Sequence, residues 1–295
     1  MSGACWRAQS TQHLARARSF LFVPGDRPER LGKALASDAD AVIVDLEDAV
    51  APEAKAGARA SLSALWAGLA APERARLLVR INAAGTVWHQ DDVQALAAWP
   101  GLGGLVLPKA ECTQTLQGLA AACPGLPLLP LVETAAGVQG VQALAASAQV
   151  LRLVLGQVDL QLDLGLPAAD SDAAWAPARW ALLLASRCAG LASPVDGVTL
   201  AIHDAGAVLA DARRSRQFGF TGKLCIHPAQ LPALHQGLAP SPAELAWARR
   251  VLAAVTQVEH RGMGALQLDG RLIDAPVEAQ ARRLLALAGP VVGDA

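Results

Sequence analysis

The sequence predicts an α/β protein built as one (β/α)8 barrel (a TIM barrel) with a C-terminal helical lid extension. Three observations carry this. From Arg18 onward, eight short apolar runs alternate with segments rich in Ala, Leu and Arg. The runs are nearly continuously apolar, as parallel strands covered on both faces are, and do not alternate as half-exposed strands do. The 295 residues also hold the ~250 residues of such a barrel without a second large core.

In chain order, residues 1–17 read as an N-terminal tail, because they contain no apolar segment of the kind a secretory signal needs. Strands are expected at 19–25, 41–48, 77–82, 104–111, 128–134, 151–159, 195–200 and 223–228. Helices between them include 28–36, 52–69 and 204–218. The barrel is assigned to 18–240 and the C-terminal helices and lid to 241–295. Ser241-Pro242-Ala243-Glu244 has the pattern of a capping box with proline in the first turn, opening a helix to about 258. A stretch with Gly262, Gly264 and Gly270 then leads into a last helix from about 277 to 287 and looks hinged. No GxGxxG or GxxxxGK follows any strand, which disfavours a dinucleotide-binding or P-loop sheet.

Composition narrows the function classes. Net charge is −1, with no basic run, four Phe and no Tyr, which argues against nucleic acid as a partner. No apolar run reaches the ~20 residues that span a bilayer, so no membrane partner is expected. The five cysteines show no CxxC spacing and read as reduced thiols of a cytoplasmic protein, not as a zinc site or disulfide frame.

A barrel of this kind gathers its chemistry at the C-terminal ends of the strands. Acids and bases fall there repeatedly: Asp45, Glu47 and Asp48 after the second apolar run, Arg80 in the third, Lys109 and Glu111 after the fourth, Glu133 after the fifth, Asp159 after the sixth. Glu133 and Asp159 are 26 positions apart, one strand–helix–strand unit. The ends of adjacent strands lie roughly 5 Å apart, so the two carboxylates could meet and hold a hard cation such as Mg2+. From these residues alone, a helix-capping Glu133 and a loop Asp159 stay open as the alternative. An arginine emerging from an LLV run is costly unless it is paired or binds an anion.

The segments VPGDRPERLGKAL, DAVIVDLEDAV with Lys55 and Arg59 beyond it, VRIN, LPKAE, LPLVETAAG, LGQVDLQLDLG, GFTGKLCIHPAQL and DGRLIDAP together resemble the citrate lyase β-subunit-like family. That family belongs to the HpcH/HpaI aldolase and citrate lyase superfamily. The resemblance covers about residues 18 to 288, in order. It implies a Mg2+-binding TIM barrel, commonly a homotrimer or hexamer, that makes or breaks C–C bonds in 3-hydroxyacyl-CoA thioesters. Malyl-, citramalyl- and citryl-CoA are the substrate types implied, with an oxo-acid as the other partner.

Carried onto this chain, the resemblance makes Glu133 and Asp159 the metal ligands and Arg80 the clamp on the oxo-acid or substrate carboxylate. Glu47 holds metal-bound waters, with Asp45 beside it. The resemblance also matches Asp274 to an aspartate on a lid that reaches a neighbouring subunit's site, where a proton-transfer residue is needed. Arg27, Arg30 and Lys33 are candidates for the CoA phosphates, a solvated basic helix face being the other reading. Lys109 and Glu111 are a candidate supporting ion pair. Two alternatives accompany the lyase: a β subunit of multi-component citrate lyase working on a carrier-protein thioester, and a malyl-CoA type thioesterase. Pyruvate aldolases of the superfamily carry histidine where this chain has Asp48, which argues for the CoA branch. His227 reads as structural.

Overall fold

A computed structural model describes residues 3–167, 174–259 and 266–288. The chain divides into two compact units, Met1–Leu238 and Ala239–Ala295. The first contains α1 (Gly3–Arg16), β1 (Ser19–Pro24), α2 (Pro28–Leu35), β2 (Ala41–Asp45), α3 (Lys55–Trp66), α4 (Ala71–Arg76), β3 (Leu77–Arg80), α5 (His89–Ala95) and β4 (Gly104–Leu107). It continues with α6 (Thr113–Ala122), β5 (Leu128–Val132), α7 (Ala135–Gln139), α8 (Val141–Ala145), β6 (Val154–Leu155), α9 (Gln157–Asp163), α10 (Ala176–Cys188), β7 (Val195–Asp196), α11 (Ala205–Gln217), β8 (Gly222–Cys225) and α12 (Leu231–Leu238). The strands pair in parallel in sequence order and close from β8 onto β1, giving the eight-stranded barrel.

Period-two alternation sorts each strand between two apolar layers. Phe20, Ile43, Leu78, Val106, Leu129, Leu131, Val154, Val195 and Leu224 belong to the inner cluster. Their neighbours Leu21, Val42, Val44, Leu77, Val79, Leu105 and Leu155 pack in the outer cluster with residues of the surrounding helices. Two residues beyond Ile43, Leu78 and Leu131, the same alternation brings Asp45, Arg80 and Glu133. The face that is apolar low in the barrel therefore becomes charged at its top.

The structure corrects two expectations about elements. Residues 3–16 form α1 and are not a tail. Leu14 is fully buried in the inner cluster, and the buried Arg152 guanidinium donates to Leu14 O (3.2 Å), Ala17 O (2.7 Å) and Ser193 O (2.7 Å). Those carbonyls satisfy a buried cation that the apolar layer could not hold alone. The sixth strand is also shorter than expected, Val154–Leu155. The chain leaves the sheet at Gly156, so Asp159 stands in the first turn of α9 and not on a strand end.

The second unit contains α13 (Pro242–Glu259), β9 (Leu266–Leu268), β10 (Arg271–Ile273) and α14 (Ala275–Ala288). Ser241 and Glu244 form the expected reciprocal cap, Ser241 N to Glu244 Oε2 at 2.7 Å and Glu244 N to Ser241 Oγ at 3.2 Å. Asp269 and Gly270, both at positive φ, turn β9 into β10 as an antiparallel hairpin, the two-residue Asp-Gly turn that suits strand twist. The glycines of this segment by themselves suggest a hinge, and the Asp-Gly turn makes it a hairpin. Gly262 and Gly264 lie outside the described residues. Ala248, Val251, Ile273 and Ala281 form the unit's own small core. Among the described residues no helix is long and apolar enough to cross a membrane.

Candidate active site

A cavity of about 820 Å3 opens among the C-terminal ends of the strands. Its walls include Asp45, Arg80, Glu133 and Asp159 from the rim, and Arg30 and Lys33 from α2. The structure thus gathers most of the residues singled out from the sequence.

Arg80 ends β3 and is held by an acidic fork. Its Nε donates to Asp45 Oδ1 at 2.8 Å and its Nη2 to Asp45 Oδ2 at 2.6 Å. Nη1 lies 3.0 Å from Glu47 Oε2 and 3.4 Å from Asp48 Oδ2. The guanidinium also sits 5.0 Å from the centre of the Phe22 ring. Burial works against its charge, yet Asp45, Glu47 and Asp48 hold its pKa above the ordinary value. The bidentate edge is therefore committed to Asp45. Of the three acids only Asp48 is mostly exposed, so Nη1 is where an incoming carboxylate can exchange with a protein one.

Asp45, buried at the end of β2, also accepts from Glu47 N (2.9 Å) and Ala49 N (3.1 Å), which fixes the following loop. Lys55 closes that loop by donating to Leu46 O (2.8 Å) and Glu47 O (2.7 Å). Removing Arg80 would leave Asp45 buried without a counter-charge. Arg80→Met is expected to cost about 3–5 kcal/mol of stability, measured by urea denaturation at pH 7. A loss below ~1 kcal/mol would show that the pair is not a structural hub.

Glu133 follows β5 and is 1% exposed. It is not a helix cap. Thr134 Oγ1 caps α7 by accepting from Gly137 N at 3.1 Å, and Asp163 of α9 accepts from Ala135 N at 2.7 Å. Glu133 accepts from Lys109 N at 2.8 Å. Burial, and next the charge of Glu47, push its pKa up to about 8, with Asp159 adding to the rise. Gly156 makes room for it, since a Cβ there would stand 2.5 Å from both Glu133 Cβ and Oε2. Asp159 lies one helical turn before Asp163 on α9, so both fall on one helix face. Asp163 reaches the start of α7, immediately after Glu133 and Thr134.

These residues fit a divalent cation. Glu47 and Asp159 both raise the pKa of Glu133, and Glu47 Oε2 is buried with no hydrogen-bond partner among the described residues, despite its ion-pair approach to Arg80. No group of three or more His, Cys, Asp or Glu among the described residues could enclose a metal by itself. The fit is to an ion that keeps waters, as Mg2+ does when held by one or two carboxylates.

Other expectations fall differently. Lys109 pairs with Glu47 Oε1, Nζ to oxygen 2.7 Å, and not with Glu111; the lysine reaches across the barrel mouth, which linear proximity to Glu111 could not reveal. Arg27 is not among the cavity-lining residues and lies 3.9 Å from Asp26, while Arg30 and Lys33, one turn apart on α2, do line it. His227 lines the cavity and accepts from Ala229 N at 3.1 Å. Gln157, a polar residue of the sixth strand end with no role assigned from the sequence, lines the cavity and donates to Val198 O at 2.7 Å. Asp274, in the second unit, is exposed and caps α14, its Oδ1 accepting from Val277 N at 3.2 Å.

Fold and site define a class: a (β/α)8 barrel with a cluster of carboxylates, Glu47 and Glu133 buried among them, at the C-terminal rim beside its cavity. The chain belongs to the HpcH/HpaI aldolase/citrate lyase family, which residues 18–228 match. It is 38% identical over 279 residues to a citrate lyase subunit beta-like protein of Deinococcus radiodurans, covering 92% of this chain and 97% of that one. It is 36% identical over 271 residues to a (3S)-malyl-CoA thioesterase of Cereibacter sphaeroides, covering 92% and 94%. Among solved structures, CitE from Mycobacterium tuberculosis in complex with magnesium, acetoacetate and coenzyme A superposes with a TM-score of 0.81 at 36% identity. That match covers 93% of this chain and 99% of CitE.

Proposed function

We propose that this protein is a Mg2+-dependent carbon–carbon lyase for a 3-hydroxyacyl-CoA thioester of the malyl-, citramalyl- or citryl-CoA type. It yields acetyl-CoA, or a similar acyl-CoA, and an oxo-acid, and the reaction can run in reverse. The observation that carries the reading is the Glu133 carboxylate, buried beside Glu47 and Asp159 in a cavity that also takes basic residues from α2. The magnesium, acetoacetate and coenzyme A in the similar CitE structure support it.

Glu133 and Asp159 would hold the metal. The chemistry that bound Mg2+ supplies is Lewis-acid polarisation of the substrate oxygens, and orientation of the two fragments. Arg80 Nη1 takes the substrate carboxylate in exchange for Asp48 and adds fixed positive charge near the oxygen that becomes a carbonyl. Arg30 and Lys33 contact CoA phosphates; Arg27 has no place in this reading. Cleavage passes the hydroxyl proton to water in the cavity, and the electron pair of the breaking C–C bond passes to the thioester α-carbon. That carbon then takes a proton, which Asp274 supplies. Asp274 acts in a homotrimer, or a multiple of one, in which it serves a neighbouring subunit's site. Val158, Leu162 and Leu200 are exposed apolar side chains that a second copy could cover in such an assembly. The enzyme acts in the cytoplasm.

The similarity to a malyl-CoA thioesterase favours one second reading, hydrolysis of the thioester. Incubating the protein and Mg2+ with each hydroxyacyl-CoA and weighing the products separates the two. Acyl-CoA plus oxo-acid is the expected outcome. Free CoA plus the intact hydroxy-acid would make it a thioesterase, and turnover only of a carrier-protein thioester would make it a citrate lyase subunit.

A further inference from the structure

Lys109 has an unusual position in the rim. It follows β4 with φ +47°, a left-handed conformation that a side chain other than glycine's rarely adopts. In that conformation the one residue meets two carboxylates, one through its backbone and one through its side chain. Its backbone N donates to Glu133 Oε1 at 2.8 Å, and its Nζ donates to Glu47 Oε1 at 2.7 Å. Glu133 follows the adjacent strand β5, whereas Glu47 follows β2, with Arg80 of β3 between them. Glu47 is thereby caught between two cations, Lys109 on Oε1 and Arg80 on Oε2.

We propose that Lys109 is a positioning residue: its ammonium keeps Glu47 out of the metal's ligand set while its backbone N–H orients Glu133. The inference rests on the metal reading above. A carboxylate already committed to two cations at 2.7 and 3.0 Å is not free to turn onto a third. Its one oxygen without a hydrogen bond, Oε2, remains an acceptor for a coordinated water. The ammonium also places a positive charge beside the metal's carboxylates, which weakens metal binding while keeping water positions open for substrate.

The test uses Mn2+, which shares the octahedral oxygen preference of Mg2+, as the probe. Affinity is measured by calorimetry, and the number of bound waters by water-proton relaxation. Lys109→Met keeps the backbone N–H and carries a comparable side chain at the same φ, so thermal melting should confirm an intact fold. Loss of the charge is expected to tighten Mn2+ binding about tenfold. Release of Glu47 is expected to remove one metal-bound water. Lys109→Arg should restore both values toward wild type, and adding Glu47→Gln to Lys109→Met should restore the water, since an amide is a poor ligand. A residue with only a structural role would weaken binding and leave hydration unchanged, and that result overturns the proposal. Wild-type protein that fails to bind Mn2+ at all would instead overturn the metal reading beneath it.

Discussion

Glu133→Gln is expected to abolish metal-dependent turnover, by about 10³-fold or more, the scale on which a principal electrostatic stabiliser acts, while leaving the barrel folded. The amide nearly matches the carboxylate in shape and can still accept from Lys109 N, so the loss would report charge and not packing. The pH behaviour follows from burial, which lifts the Glu133 pKa from its ordinary 4.5 to about 8. A carboxyl whose pKa rises on folding takes up a proton as the chain folds. The metal-free wild type should therefore lose stability as the pH climbs from about 4.5 to about 8. The Gln variant lacks this titration and should melt several degrees above wild type at pH 8 in chelator. Mg2+ must displace the same proton, so wild-type affinity should climb across that window and level off above it. Calorimetry at pH 6, 7 and 8 checks this. An affinity independent of pH would remove Glu133 from the ligand set.

Asp274→Asn is expected to spare Mg2+ and CoA binding and to remove most turnover, because an amide cannot exchange the proton that the thioester α-carbon must take. This substitution separates chemistry from architecture. Asp274 caps α14 through an oxygen that asparagine also offers, and asparagine is as good an N-cap as aspartate. An unchanged melting temperature should therefore accompany the loss. In the proposed oligomer Asp274 of one copy serves the site of another. Mixing the Asp274→Asn and Glu133→Gln proteins under conditions of subunit exchange should then recover part of the activity, since some hybrid sites would combine an intact Glu133 with an intact Asp274. Absence of recovery despite exchange shown by mass, or full activity from a monomer, would rule out the shared arrangement. Full activity of Asp274→Asn would remove the residue from the mechanism altogether.

Several elements were legible because they depend on local rules. Continuous apolar runs such as AVIVD and LLVR became β2 and β3, with Asp45 and Arg80 as their last residues. The capping box at Ser241 formed as written. The elements that departed from expectation depend on distant partners. The first helix owes its burial to the floor of the barrel, where Arg152, more than a hundred residues away, accepts it as a partner. Asp159 was read as a strand end because LRLVL is apolar throughout, yet Gly156 ends the strand and starts α9. The hairpin at Asp269-Gly270 is the exception, since its turn residues are local and yet the segment reads as a hinge.

By itself the sequence determined the order of the eight strands and the family, because strand period and motif order are properties of the chain read along its length. It also placed charged residues at the end of the inward-facing alternation, which is why the rim could be named. Only the tertiary structure decided how those charges divide among themselves. It committed the fork of Arg80 to Asp45, sent Lys109 across to Glu47, gave the cap of α7 to Thr134 and so left Glu133 for the cavity, and kept Arg27 off the cavity wall. Closing the barrel brings side chains from distant strands within hydrogen-bonding distance, and at that range each carboxylate's partner is chosen by geometry that no spacing along the chain records.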